Sequence, residues 1–274
     1  MFSFDHAVVN VMGEMDVAVE QYARLGFTLG PRGYHTLGSI NHLAVFQDSY
    51  LELLGYAPGE REKRAEMWLH PAGLTGLAMR VADAAGLHAV LEAKGVPVEP
   101  YKDFSRPVDI DGESREASFR TFQIDRSKVE NGRIFFCQHN TPELIWRPEW
   151  QDHPNGATGI ASATIIATEP DRLGTLLDFA RAQDGTLRMG DTLLEIKTPD
   201  EAASTFAADG PVPDLAGKDM RMVALDLICL SLDRAASVLE QNGVPFHRAP
   251  DHIAVSPEAA FGVILRFVEA AADA

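Results

Sequence analysis

His6 and Asn10 are two polar residues inside an otherwise apolar, strand-like segment close to the N terminus. The segment spans residues 4–11 and reads FDHAVVNV. Alternation along a strand places His6 and Asn10 on one face and Asp5 on the other. An apolar core seldom contains such residues, because unpaired polar groups are costly to bury. The pattern therefore indicates a functional role for His6, with a buried, hydrogen-bonded histidine as the alternative.

Glu52 is a further polar residue in an apolar setting, in the segment at residues 50–54 that reads YLELL. Alternation groups it with Tyr50 and Leu54 on one face. Carboxylates are seldom buried unless they are paired, hydrogen-bonded or bound to a metal. We therefore predict that Glu52 is a metal ligand or a catalytic base, and that Tyr50 contacts the substrate beside it. A glutamate on an edge strand that faces water is the alternative.

An internal repeat indicates which elements position these residues. Residues 90–98 read VLEAKGVPV and residues 238–246 read VLEQNGVPF, with six of nine positions identical. Each stretch ends an amphipathic helical pattern at its glycine, which suits the left-handed conformation after a helix C terminus. An apolar strand pattern precedes each helix, at residues 73–81 and 222–232.

Two fainter copies of this unit begin near residues 4 and 159, so a strand, a helix and two or three strands recur four times. We predict an α+β fold of four βαβββ units in two modules, residues 1–150 and 155–274. The segment between them, WRPEWQDHPNGAT, is rich in turn-forming residues. A loop-rich stretch at residues 199–218 is interpreted as a surface loop, with a lid as the alternative.

The paired units and three segments together resemble the vicinal-oxygen-chelate superfamily, in particular its glyoxalase-like branch. These segments are FDHAVVNVMGEMDVAVEQYARLGF (4–27), RGYHTLGSINHLAVFQDSYLELL (32–54) and QHNTPELIWRPEWQDHPNGATGI (138–160). The resemblance implies a curved sheet of about eight strands in each module, closed around a cleft. It also implies a metal held by the first and last strands of two paired units, where the metal binds one or two substrate oxygens. His6 and Glu52 match two of these ligand positions.

The second unit of the first module departs from the family pattern. Aligned on the first unit, it sets Gly76 opposite the histidine, and Phe135 or Phe136 opposite the glutamate. Neither residue type can ligate a metal, and catalytic zinc usually has three protein ligands. His139, just past the apolar run RIFFCQ, is the first choice for the third ligand. Nitrogen and oxygen ligands suit a divalent ion such as zinc, manganese, iron, nickel or magnesium.

Loop residues complete the predicted site, since binding groups often lie on loops carried by a rigid scaffold. His35 and Asn41 lie in the segment GYHTLGSIN and are predicted to act in catalysis. His42 alternates out of phase with Asn41, so only one of the two faces inward, and we prefer Asn41. For His153 in the linker, a turn-stabilising hydrogen bond is the alternative to a binding role. The predicted substrate contacts are Asn10, Tyr50, His153 and Asn155.

Composition limits the partners of the chain. Its 274 residues carry a formal net charge of −16. Such a surface repels nucleic-acid phosphates and anionic membranes, so a small-molecule substrate is predicted. The N terminus is acidic, and no apolar run approaches the roughly 18 residues of a membrane span. Both cysteines lie in apolar runs, which favours buried thiols and a cytoplasmic protein.

The C-terminal module retains only part of this pattern. Glu195 in LLEIK is placed like Glu52, but residues 161–163 offer only alanine and serine where His6 would lie. We predict that this module has lost any metal site and acts as a scaffold or as the surface of a homodimer.

These observations predict a metal-dependent lyase, isomerase or dioxygenase-type enzyme that acts on a small oxygen-rich substrate. The ion would stabilise the negative charge that develops when a neighbouring group removes a proton. The alternative is a metal-free protein that sequesters a small molecule, like the bleomycin-binding members of the superfamily. A third interpretation is a scaffold in which both clefts have lost their function.

Overall fold

The computed structural model describes residues 2–110 and 112–270, and these residues form two mixed β-sheets and five α-helices. The α+β fold predicted from the sequence is confirmed. Short 3₁₀ turns lie at Ala65–Leu69, Pro142–Leu144, Pro148–Trp150 and Asp178–Ala180.

The first sheet has eight strands in the order β2-β3-β4-β1-β5-β8-β7-β6. Two strand–helix–strand units build it in succession. The first unit comprises β1 (Phe2–Met12), α1 (Met15–Arg24), β2 (Gly33–Tyr34), β3 (Ile40–Val45) and β4 (Tyr50–Gly55). The second unit comprises β5 (Gly73–Val81), α2 (Ala84–Ala93), β6 (Lys102–Ile110), β7 (Glu113–Gln123) and β8 (Arg133–His139).

The second sheet has seven strands in the order β10-β11-β9-β12-β15-β14-β13. Its third and fourth units follow the same plan, with one additional helix between them. The third unit comprises β9 (Ala157–Ala167), α3 (Pro170–Leu176), β10 (Leu187–Met189) and β11 (Thr192–Lys197), followed by α4 (Pro199–Thr205). The fourth unit comprises β12 (Met220–Cys229), α5 (Leu232–Gln241), β13 (His247–Arg248), β14 (His252–Val255) and β15 (Ile264–Glu269).

Local sequence signals account for the two helices that revealed the repeat. The Asp83 side chain accepts a hydrogen bond from the backbone amide of Gly86 at the start of α2. At the start of α5, the Ser231 side chain accepts one from the backbone amide of Arg234. After both helices a glycine adopts positive φ, 77° at Gly95 and 63° at Gly243. A residue with a side chain is strained there, so each glycine ends its helix.

Within each sheet the units are joined in the same way. The first strand of a unit pairs parallel to the last strand of that unit, as β1 does with β4. The first strands of the two units pair antiparallel at the centre of the sheet, as β1 does with β5. The edges of the first sheet then approach each other, because Thr36 beside β2 donates backbone and side-chain hydrogen bonds to the Ser105 carbonyl of β6. The sheet therefore curls around an enclosed concave face.

One hydrophobic core is shared by the two sheets. Tyr22 of α1, Leu77 of β5, Leu225 of β12 and Phe267 of β15 belong to the same buried cluster. The Tyr22 hydroxyl donates a hydrogen bond to the carbonyl of Ala260, at 3.1 Å. The division into modules at 1–150 and 155–274 stays a prediction, and its boundary falls in the segment between β8 and β9.

The segment at residues 199–218 differs from its sequence-based interpretation as a surface loop or lid. It begins as α4, where Thr198 and Glu201 form a reciprocal capping box. Phe206, which follows the helix, is buried with Val223 and Ile264 in an apolar cluster on the second sheet. Ala202 and Phe206 are apolar residues within this loop-rich segment, and they hold it against the second sheet by burying their side chains there.

No α-helix in the described ranges is both long and apolar enough to cross a membrane.

Candidate functional site

A cavity of about 330 Å³ lies on the concave face of the first sheet. His6, His35, Asn41 and Glu52 are among its polar lining residues. Its apolar walls include Leu54, Met67, Phe104 and Phe119. This volume is at the lower end of the range of small-molecule sites, so the cavity suits a small ligand.

His6 and Glu52 meet inside this cavity. They lie on β1 and β4, which are parallel neighbours, with His6 opposite Tyr50 in the register. The distance between His6 Nε2 and Glu52 Oε2 is 3.7 Å, and both side chains are buried. Strand pairing over long sequence separation therefore brings together the two residues singled out by their apolar settings.

Asp5 contacts His6 directly, whereas strand alternation predicted that it would lie on the opposite face. The pairing of β1 with β5 shifts register between Phe4 and His6, which marks a β-bulge at Asp5. Phe4 consequently joins Ala7 in the core, and Asp5 turns toward His6. The Asp5 carboxylate lies 2.7 Å from His6 Nδ1. Because a carboxylate accepts, His6 donates through Nδ1 and leaves the Nε2 lone pair directed at the cavity.

Asp5 is the centre of a larger buried network. It is fully buried and also accepts hydrogen bonds from His139 Nε2 and Arg80 Nε, each at 2.9 Å. Burial alone would raise the pKa of Asp5, but the charges and hydrogen bonds of His139 and His6 outweigh it and hold the pKa well below its usual range. The carboxylate is therefore ionised at neutral pH and fixes the orientation of His6.

The structure places His139 on Asp5 and encloses its ring between aromatic side chains. Its ring contacts those of Phe119 and Trp146, at centroid distances of 5.1 and 4.9 Å. His139 was predicted to be the third ligand beside His6 and Glu52, and its Nε2 donates to Asp5. Asp5, Cys137 and His139 together offer ligand atoms close enough for an ion. Arg80 already pairs with that carboxylate, and burial raises the pKa of the Cys137 thiol, so this group is suited to a hydrogen-bonded support.

His35 and Asn41 converge on the other side of Glu52. Asn41 donates from Nδ2 to Glu52 Oε1 at 2.7 Å, and His35 Nε2 lies 4.0 Å from the same oxygen. His35 Nδ1 lies 2.8 Å from the hydroxyl of Ser39. Gly33 makes this arrangement possible, since a Cβ there would collide with Asn41 Oδ1. His42 points away from the cavity and binds the Gly30 carbonyl, as alternation predicted.

The His35 imidazole is neutral at physiological pH. Burial is the main cause, and the positive charges of Arg106 and Arg64 add to it, so that the pKa of His35 lies well below its usual value. In the tautomer whose Nδ1 donates to the Ser39 hydroxyl, the lone pair is at Nε2, which lies 3.4 Å from Asn41 Nδ2. That lone pair is available to accept a proton or to bind a cation.

Tyr50 forms the floor beneath His6. The two rings are stacked, with centroids 4.3 Å apart and planes 12° from parallel. Burial raises the pKa of Tyr50 well above its usual value, so the phenol stays protonated. Tyr50 lines the cavity and is placed to contact a ligand there.

The other predicted substrate contacts lie outside the cavity lining. Asn10 donates to the carbonyls of His70 and Pro71 and accepts from the backbone of Met12. His153 bonds to the Thr28 amide and the Val45 carbonyl. Asn155 bonds to the Leu25 carbonyl and the Ala157 amide. Backbone groups thus occupy these side chains, which fits the turn-stabilising alternative for His153.

The second unit supplies an apolar wall where the family pattern would place ligands. Gly76 pairs with Arg133 and Ala78 with Phe135, in the same register as the corresponding pairs of β1 and β4. Gly76 and Phe135 therefore occupy the positions equivalent to His6 and Glu52, and Phe136 lies in the core. A Cβ on Gly76 would lie 2.9 Å from side-chain atoms of Val8, so close packing of β1 on β5 requires glycine.

Sequence analysis missed two sets of polar residues. One is Asp5, whose role depends on a bulge. The other is a group of three arginines in the cavity lining, Arg64, Arg106 and Arg133. A signal was present for Arg133, because alternation along RIFFC groups it with Phe135 and Cys137 on one face. For Arg106, placement depends on the curl that brings β6 over the sheet.

The curled sheet and the paired units define a member of the vicinal-oxygen-chelate superfamily. More specifically, the chain belongs to the glyoxalase-like domain family, whose family model matches residues 4–180. The match includes the whole cavity and the beginning of the second sheet. A search of curated protein sequences finds no match for the chain.

Solved structures show the same fold across nearly the full chain. A hypothetical protein from Staphylococcus aureus is similar with a TM-score of 0.66 and 13% identity, over 98% of this chain and 100% of that one. A mutant 4-hydroxymandelate synthase from Streptomyces coelicolor is similar with a TM-score of 0.60 and 11% identity, over 98% and 93%. A xylose isomerase-like TIM barrel/4-hydroxyphenylpyruvate dioxygenase fusion protein gives 0.58 and 13%, over 99% of this chain and 49% of that one.

The donor set around Glu52 fits a divalent ion. A neutral imidazole nitrogen and a carboxylate oxygen are suitable ligands for zinc and for the other first-row metals. His6 donates its second ring nitrogen to a buried carboxylate, an arrangement typical of metal-binding histidines. In addition, Asn41 Oδ1 is buried and lacks a hydrogen-bond partner among the described residues, so the cavity wall has an oxygen to spare.

Proposed function

We propose that the cavity of the first sheet is the active site of a metal-dependent enzyme of the lyase, isomerase or dioxygenase type. Its substrate is a small molecule with vicinal or carbonyl oxygens. One observation carries the proposal: His6 Nε2 and Glu52 Oε2 lie 3.7 Å apart in a ligand-sized cavity, and His6 is oriented by a buried carboxylate.

His6 and Glu52 are the proposed metal ligands, and the remaining coordination positions are left for substrate oxygens and a third donor. A bound divalent ion would act as a Lewis acid on a substrate oxygen and stabilise negative charge that develops there. His139 is no longer the preferred third ligand, because its Nε2 donates to Asp5.

The surrounding residues have distinct tasks in this proposal. Asp5 holds the His6 tautomer, and Asn41 orients Glu52 through its 2.7 Å hydrogen bond. His35 is the proposed base, since its neutral imidazole lies on the other side of Glu52 and can accept a proton at Nε2. Tyr50 and the apolar walls position the substrate and exclude water.

One observation favours a second candidate, a metal-free protein that sequesters a small molecule. Gly76 and Phe135 replace the two ligands that the second unit would supply, and Phe135 presents its ring edge to His6 at a centroid distance of 5.2 Å. Such a cavity can bind an aromatic compound by packing alone.

Metal analysis separates the two candidates. Untagged protein, purified without chelator, is expected to contain about one divalent ion per chain by mass spectrometry, and His6→Ala and Glu52→Gln are expected to lose it. His42→Ala is the matched control, because His42 neighbours Asn41 but faces away from the cavity. If the wild-type chain binds none of the five candidate metals on titration, the enzyme proposal fails and the metal-free binder stands.

A further inference from the structure

Four arginines, Arg64, Arg106, Arg126 and Arg133, line the same cavity as His6 and Glu52. Arg64 precedes the 3₁₀ turn at residues 65–69, Arg106 lies on β6 and Arg133 begins β8. All three charges act on His35, so the arginines surround the proposed base. Buried arginines normally pair with carboxylates or phosphates, because each guanidinium carries five N–H donors.

Among the described residues, neither Arg106 nor Arg133 has a carboxylate partner. Arg106 is only 3% exposed, yet among the described residues no carboxylate lies within ion-pair distance of its side chain. Arg133 likewise lacks an ion pair there, and its Nε is buried without a hydrogen-bond partner. Burial, together with the charge of Arg64, lowers the pKa of Arg133 to about 9.

Another arginine of the same cavity shows what a paired guanidinium looks like. Arg126 donates from Nε and Nη2 to the two carboxylate oxygens of Glu99, at 2.8 and 3.0 Å. This bidentate geometry leaves little capacity for a ligand. Arg133 and Arg106 keep their N–H donors available for a ligand. They do so in a protein whose net charge is −16, where carboxylates are abundant.

The local charge balance indicates how much negative charge is missing. Among the charged residues of the lining, Glu99 is paired with Arg126, and Lys102 is exposed to solvent. Glu52 and Glu66 are left to offset two of the other three guanidiniums. About one positive charge remains in a partly desolvated setting, where an unpaired charge is costly. A monoanion would satisfy it, and the planar fork of a guanidinium matches a carboxylate.

We infer that the substrate carries a carboxylate, which binds Arg133, whose Nε is buried without a partner, while its apolar body packs against the aromatic wall. The inference rests on the proposed function, since it places this anion next to the proposed reacting group. The wall supports the apolar body, because Phe104 and Phe119 stack at 5.1 Å and both line the cavity. The substrate class is therefore a small oxygenated carboxylic acid with an aromatic or aliphatic chain.

Calorimetric titration of the full-length protein tests this inference with phenylacetate, its neutral analogue phenylacetamide, and phenyl phosphate. Wild-type protein is expected to bind phenylacetate at least tenfold more tightly than phenylacetamide. Arg133→Met is expected to weaken phenylacetate binding by about 10- to 100-fold, the value of a charge-assisted hydrogen bond, and Arg106→Met, which removes a second unpaired cation from the cavity, is expected to weaken it less. Arg120→Met is the matched control, because Arg120 pairs with Asp103 through two hydrogen bonds and is not among the cavity-lining residues. It is expected to bind phenylacetate like wild type.

Thermal unfolding separates a binding role from a structural one. Removing an unpaired buried charge is expected to leave the melting temperature of ligand-free Arg133→Met equal to or above that of wild type. Equal affinity for the acid and the amide would overturn the inference, as would phenylacetate binding unchanged by Arg133→Met. Tighter binding of phenyl phosphate than of phenylacetate would overturn the choice of a carboxylate.

The same titration, repeated on chelator-treated protein, keeps this inference separate from the proposed function. Arginine-dependent binding of phenylacetate without metal is expected even if no ion binds at His6. Glu52→Gln is expected to bind the acid more tightly in this state, because it removes a negative charge from the cavity. Weaker binding by this variant would contradict the charge balance, whatever the outcome of the metal analysis.

Discussion

The inner faces of the two sheets come from the same repeated unit, yet one encloses a cavity and the other is covered by its own chain. Ser162 and Glu195 lie in β9 and β11 at the register positions that His6 and Glu52 hold in β1 and β4. On the second sheet, α4 and the residues after it pack over this face. The cavity of about 330 Å³ lies on the first sheet, whose inner face has no such covering segment among the described residues.

The two faces also differ in whether their charged groups are paired within the protein. On the second face, Asp209 pairs with Arg266 and accepts from His247 and His252, each at 3.1 Å. Asp209, His247 and His252 place ligand atoms close together, but the Arg266 guanidinium already neutralises the Asp209 carboxylate. On the first face, arginines and imidazole nitrogens keep unused capacity. Polar groups that are paired within the protein stabilise it, and those left unpaired are available to a ligand.

Removal of the covering side chain is the change expected to cost most. Phe206→Ala deletes a ring that is 1% exposed, so we expect a loss of about 3–5 kcal/mol in the free energy of unfolding. Phe104→Ala, in the cavity wall, is expected to cost about 1–2 kcal/mol, because its ring is already partly solvated. Chemical denaturation measures both. Equal costs would contradict the difference between a filled and an open face.

Asp209 is expected to contribute pH-dependent stability to the second face. Burial raises its pKa, but hydrogen bonds from His252 and Arg266 outweigh this effect and lower the pKa below the ordinary value of 3.8. A lowered folded pKa gives stability that is present above that value and is lost as pH falls through the folded pKa. Asp209→Asn is therefore expected to cost on the order of 3 kcal/mol at pH 7.

Unfolding curves at pH 7, 5, 4 and 3 test this prediction. The difference between wild type and Asp209→Asn is expected to shrink as the pH falls from 4 to 3, because the carboxylate is then protonated. A difference that stays the same or grows between pH 4 and pH 3 would contradict the lowered pKa.

Asp5→Asn is expected to weaken metal binding at the first face by about 10- to 100-fold, as loss of a partner behind a ligand histidine typically does. The amide leaves His6 without the carboxylate that fixes its tautomer. Titration with zinc and manganese measures the change. His247→Ala is the corresponding control on the second face, and equal weakening by the two variants would remove the distinction between the faces.

Asp226→Asn has the smallest expected effect, and it is expected to raise the free energy of unfolding rather than lower it. Burial raises the pKa of Asp226 despite its hydrogen bond from Ser162. A raised pKa for an acid means that ionisation costs stability once the pH exceeds the unfolded value. The variant is expected to be more stable by about 1 kcal/mol at pH 7 and unchanged near pH 3. Destabilisation at pH 7 would indicate that the ionised carboxylate is itself required.

The sequence predicted the features that depend on local patterns. The repeat gave the α+β units, and apolar settings singled out His6 and Glu52. Alternation along β3 predicted that Asn41 faces the cavity and that His42 faces away from it. Each of these follows from periodicity within a few residues.

The features that depend on long-range geometry were not predictable in this way. A bulge at Asp5 reversed its face, and pairing of β8 with β5, the neighbour of β1, brought His139 close to that aspartate. The curl that carries Arg106 over the cavity, and the folding of residues 199–218 onto the second sheet, likewise depend on contacts between distant segments. A single sequence carries little local signal for them.

The most direct test of the account is a crystal structure of the untagged protein soaked in manganese, with anomalous scattering used to locate the ion. The account predicts one strong peak between His6 Nε2 and Glu52 Oε2, and none at Asp209, His247 and His252. A peak at the second cluster with none at the first, or no peak at either, would contradict it.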